Sequence, residues 1–104
     1  MYYHVTPTEN VSRIMSEGLV PQTGGRSKWF GENEDAIYLF KTMEAVENAL
    51  MNWLDVEFGD EPLTLLGVEL PPNAKTLPTT AHEFELMIAT PIPPEYLQII
   101  SEDI

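Results

Sequence analysis

Four residues of this 104-residue chain have side chains that could do chemistry together: His4, Tyr38, Glu83 and Glu85. Glu83 and Glu85 lie two apart in an extended stretch, so both project from one face of a strand, with His82 and Phe84 on the other. Carboxylates held side by side repel, and burial raises the pKa of one of them. Taken alone, such a pair is also the ordinary make-up of an exposed acidic face. His4 alone is ordinarily a satisfied structural imidazole. Tyr38, inside Ile37-Tyr38-Leu39-Phe40, is ordinarily a core aromatic. These residues acquire a chemical meaning only if the fold gathers them.

Other chemistries are excluded more firmly. The chain has no cysteine, which removes disulfides, thiolate nucleophiles and cysteine-based zinc sites. His4 and His82 are too few for a histidine-rich metal centre, and no D-x-D-x-D-G calcium loop occurs, so no metal site is expected. Neither G-x-x-x-x-G-K-[ST] nor G-x-G-x-x-G is present, and there is no G-x-S-x-G elbow. Seventeen Asp and Glu face five Lys and Arg, a formal charge of −12. Such a balance repels a phosphate backbone, which argues against nucleic acid and favours a basic protein partner or simple solubility. The cations are Arg13, Arg26, Lys28, Lys41 and Lys75, of which Arg26 and Lys28 lie close together in sequence. No stretch approaches the ~20 apolar residues of a membrane span. The Met1-Tyr2-Tyr3-His4 start lacks the pattern of an export signal, so a cytoplasmic location is expected.

The elements that must position these residues can be read from pattern. Tyr2 to Val5 predicts a first strand, rich in aromatic and β-branched residues. Thr6-Pro7-Thr8-Glu9 then predicts a helix start, with Thr6 as cap, Pro7 in the first position and Glu9 closing a capping box. Val11, Ile14, Met15 and Leu19 form its apolar stripe, and Gly18 ends it. Val20 to Asp35 loses periodicity, and a loop of that length is often a binding loop. Ala36 to Phe40 predicts a strand. Thr42 caps a second helix reaching Asp55, with Val46, Ala49, Leu50, Trp53 and Leu54 inward. Leu63 to Leu70, Lys75 to Leu77, Glu83 to Ala89 and Gln98 to Ile100 complete the strands, separated by Pro-rich breaks. The expected order is β-α-loop-β-α-β-β-β-β in one domain over 1–104, an α+β fold with both helices in the N-terminal half.

Three segments together resemble a known family. Tyr3-His4-Val5-Thr6-Pro7, followed by Asn10, Ile14 and Gly18-Leu19-Val20-Pro21, resembles the opening of small bacterial ADP-ribosyltransferase-like domains. Ile37-Tyr38-Leu39-Phe40 before a helix is similar to their second motif. Glu85-Leu86-Met87-Ile88-Ala89-Thr90-Pro91-Ile92-Pro93-Pro94-Glu95-Tyr96-Leu97 is similar to their third. The resemblance spans most of the chain and implies a split, mostly antiparallel sheet with NAD bound in the cleft between its halves.

In that likeness His4 matches the histidine that bonds the adenosine-side ribose, and the backbone of Val5 and Thr6 would meet the nicotinamide amide. Tyr38 matches the aromatic stacked on nicotinamide. Glu85 matches the glutamate that stabilises the positive charge growing on the sugar as nicotinamide leaves, a contact made stronger in the transition state. Arg26, with Lys28, is a candidate for the pyrophosphate, since the remaining field is repulsive to anions, and Ser27 between them is counted with the cofactor-binding residues. Glu83-Phe84-Glu85 also resembles the E-x-E of arginine-directed members, although those begin their first motif with arginine where this chain has His4. Two functions follow as expectations. One is transfer of ADP-ribose from NAD to a macromolecule, or NAD hydrolysis. The other is a catalytically inactive acidic module that binds a basic protein.

Overall fold

In a computed structural model of the chain, the structure describes residues 1–21, 36–51, 62–77 and 84–102. Within these, the chain is an α+β fold built on a six-stranded antiparallel sheet in the order β4-β5-β2-β1-β3-β6. The strands are β1 (Tyr2–Pro7), β2 (Ile37–Phe40), β3 (Leu63–Val68), β4 (Thr76–Leu77), β5 (Glu85–Ile88) and β6 (Leu97–Glu102). Among the described residues two α-helices, α1 (Val11–Glu17) and α2 (Met43–Ala49), flank it.

The helices lie on opposite faces, as the ladder partners show. His4 pairs with Leu66 and Tyr2 with Val68, and this face joins Ile14 of α1, Leu39, Ile88 and Ile92 in one apolar cluster. The alternate residues Val5, Phe40 and Leu65 join Ala45, Val46 and Ala49 of α2 in another. Every residue of β3 is buried, since a central strand covered on both faces needs apolar side chains in both directions. The continuous run Leu63-Thr64-Leu65-Leu66-Gly67-Val68 supplies them.

The start of α1 differs from the expectation. Thr6 and Pro7 remain in β1, opposite Thr64 and Leu63, and Thr6 caps no helix. A 3-10 turn, Thr8–Asn10, intervenes before Val11. The reason is tertiary: the Thr8 amide donates to the Pro62 carbonyl at 2.9 Å, and its hydroxyl meets that of Thr64 at 2.8 Å. Those bonds keep the chain against β3 for longer than local capping chemistry would. The helix end follows the sequence. Gly18 has φ 88°, and a Cβ there would run into the Ile92 carbonyl, so only glycine fits. Leu19 then exchanges two backbone bonds with Ile92, each 2.9 Å, and packs into the α1-side cluster.

Thr42 caps α2 as its sequence indicates, its hydroxyl accepting from the Ala45 amide at 3.0 Å. Trp53 and Leu54, the far end of the expected helix face, lie outside the described residues, as does the expected binding loop of Val20 to Asp35 from residue 22 onward. Strand ends shift modestly. β3 stops at Val68 rather than Leu70, β5 runs from Glu85 to Ile88, and β6 extends from Leu97 to Glu102. No helix among the described residues is long and apolar enough to cross a membrane.

Candidate functional site

Among the described residues, β1 and β2 share the fewest registered pairs of any neighbouring strands. β1 and β3 share a continuous register from Tyr2↔Val68 to Pro7↔Leu63, whereas β1 and β2 share only Tyr3↔Phe40. Beyond that pair the strands part, and a side chain takes over the connection. His4 Nδ1 lies 3.0 Å from the Tyr38 carbonyl oxygen. A carbonyl can only accept, so Nδ1 carries the proton and donates. Burial pushes the His4 pKa below its ordinary value, with the bond to Tyr38 pulling the other way. The ring is therefore neutral near pH 7, and Nε2 is left as an acceptor.

Where the strands part there is a cleft of about 370 Å³, walled by β1, α1 and the start of β2. A volume of ~300–1,000 Å³ is usual for small-molecule sites. His4, Val5, Thr6 and Tyr38, four of the expected cofactor-binding residues, all line it. Thr6 is buried, which ties its position to the β3 ladder. Asn10, Arg13 and Glu17 bring polar groups from the α1 side, while Ile14, Leu19 and Ile37 supply apolar wall.

Glu85 is positioned differently. It opens β5 opposite Phe40, and Phe40 in turn stands opposite Tyr3. Partners in an antiparallel ladder share a face, so Glu85 belongs to the α2 side, only 4% exposed. Tyr38 is opposite Met87, two residues from Glu85. The two are diagonal neighbours on that face, at the ~7–8 Å spacing within reach of long side chains. His4 stems from the α1 face.

The expected trio is thus joined in two steps rather than around one groove. Tyr38 is linked to His4 through its carbonyl and lies beside Glu85 through the ladder, while Glu85 forms no part of the cleft wall. Facing depends on the parity of long-range register, which sequence does not reveal. Glu83, Arg26 and Ser27 lie outside the described residues.

Sequence reasoning passed over Asn10, Arg13 and Glu17 as site residues. Their signal was available, because Arg13 and Glu17, four apart, lie along one side of α1, and Asn10 precedes that helix at its N-terminal end. Comparison with protein-family models, with curated proteins and with solved structures returns no match.

Proposed function

We propose that this chain is an NAD-binding domain of the ADP-ribosyltransferase-like kind, with NAD lying in the cleft where β1 and β2 part. The observation that carries the reading is the opening itself. A single registered pair joins the strands, and the residues bordering the gap are His4, Val5, Thr6 and Tyr38. A sheet loosened between these strands is what a split sheet would require. The neutral His4 ring offers Nε2 as an acceptor for a ribose hydroxyl, held in that tautomer by the Tyr38 carbonyl.

Chemistry in this reading is cleavage of the bond between nicotinamide nitrogen and ribose C1′. Nicotinamide leaves with the bonding electron pair, and positive charge develops on the sugar. A macromolecular nucleophile or water then bonds C1′ and releases its proton to solvent. Glu85 is the carboxylate assigned to the developing charge, a role in which a fixed anion lowers the barrier selectively. This assignment rests on the resemblance of the Glu85 segment, since Glu85 stands beside Tyr38 on the α2 face and outside the cleft wall.

Two measurements test the proposal. NAD at ~100 times its dissociation constant should stabilise the fold by ~2.7 kcal/mol, read as a rise in melting temperature. Incubation with labelled NAD and a whole-cell lysate should transfer label to a macromolecule or release free ADP-ribose. No melting shift with millimolar NAD removes the binding reading.

Two observations favour a second reading. Glu85 does not wall the cleft, and the chain carries a charge of −12. A catalytically inactive module that binds a basic protein partner fits both. It predicts binding without turnover, or no NAD response at all.

A further inference from the structure

The geometry points to Arg13 as the anion anchor of the cleft, so that the site selects a phosphate-bearing nucleotide over the corresponding phosphate-free nucleoside. The inference takes the identity of the nucleotide from the function proposed above; the preference for phosphate stands on the cleft alone.

A protein of charge −12 repels phosphate at long range. At physiological salt that field fades over about 8 Å, so the groups bordering the cleft decide what enters. Among the described residues lining it, Arg13 is the one cation. The other described lysines, Lys41 and Lys75, do not line it. His4 is held neutral, because its pKa is lowered by burial, and contributes no positive charge near pH 7.

The acids are arranged unevenly around Arg13. Glu17 follows one turn later on α1, about 6 Å along the axis at 1.5 Å per residue. It borders the Gly18 end of the cleft, while neutral Asn10 borders the other end. An anion is therefore accepted between Asn10 and Arg13 and repelled at Glu17. Arg13 is exposed, and among the described residues its guanidinium makes no hydrogen bond or ion pair. A guanidinium presents two parallel N–H groups to phosphate oxygens, which gives direction as well as attraction.

The test is calorimetric titration of the wild type, Arg13→Gln and Arg13→Lys with NAD, nicotinamide riboside and inorganic pyrophosphate. The riboside carries no phosphate. For Arg13→Gln, affinity for NAD and pyrophosphate should fall about tenfold to a hundredfold, the range of charge-assisted bonds, with the riboside unchanged. Arg13→Lys should retain part of the affinity, since it keeps the charge without the fork. Equal NAD affinity in wild type and Arg13→Gln overturns the anchor and leaves the NAD reading standing, as does a parallel loss for NAD and riboside. Arg13-dependent pyrophosphate binding without NAD binding upholds the anchor and removes the NAD reading. A wild type that binds neither pyrophosphate nor NAD overturns both.

Discussion

His4 donates from Nδ1 to the main-chain carbonyl of Tyr38 across 3.0 Å, at the place where β1 and β2 cease to pair. A side chain thereby stands in for a ladder bond, and the same contact fixes which ring nitrogen is left to accept. Truncation to alanine loses that bond and its packing, at a cost of about 1–2 kcal/mol. His4→Asn, whose amide can donate at the same place, should recover part of the loss. Urea unfolding of both variants measures it.

The same residue gives a pH dependence with a definite sign. The folded pKa of His4 lies below the ordinary 6.5 because burial disfavours the charged ring. Below that ordinary value the unfolded chain binds the proton more readily than the folded one. The contribution of His4 to stability is complete above pH 6.5 and is lost as the pH falls toward the folded pKa. The informative quantity is the difference between wild type and His4→Asn, which cancels whatever the two proteins share. That difference should shrink between about pH 7.5 and about pH 5.5. A constant difference across the range would show that the ring does not sense its burial.

Gly18→Ala should destabilise strongly, because a φ of 88° and the Ile92 carbonyl both exclude a Cβ. A cost of about 2–4 kcal/mol is expected, a melting shift of roughly 8 °C or more. Since Gly18 and Leu19 also line the cleft, ligand affinity should drop with it.

Thr42→Ala removes the hydroxyl that accepts from Ala45 and should cost about 1 kcal/mol. Thr42→Ser should restore most of this. Neither change touches the cleft, so NAD affinity in the native state should be unaltered.

Glu85→Gln preserves shape while removing the charge assigned to the transition state. Any transferase or hydrolase activity should disappear in this variant, while NAD affinity remains within a few-fold of wild type. Undiminished turnover would take Glu85 out of the reaction and transfer the search to other carboxylates.

Much of the architecture is written locally. Apolar β-rich runs mark β1, β2 and β3, and Thr42 and Gly18 punctuate α2 and α1 because hydroxyl capping and a positive φ are properties of single residues. The element order follows from those signals alone. The start of α1 does not, since bonds from Thr8 to Pro62 and Thr64 come from a distant segment and override the capping pattern at Thr6. The residue types of the candidate site were equally visible, and their grouping was not.

What the sequence determined by itself is the inventory: an α+β set of elements, an acidic chain without thiols, and an imidazole, a phenol and a carboxylate on three separate strands. Tertiary structure decided which strands are neighbours and in what register. With a side-chain period of two, each register assigns every residue to one face or the other. That parity sets Glu85 beside Tyr38 on the α2 side and His4 on the α1 side. The early lapse of the β1–β2 ladder then opens the cleft that His4 and Arg13 border.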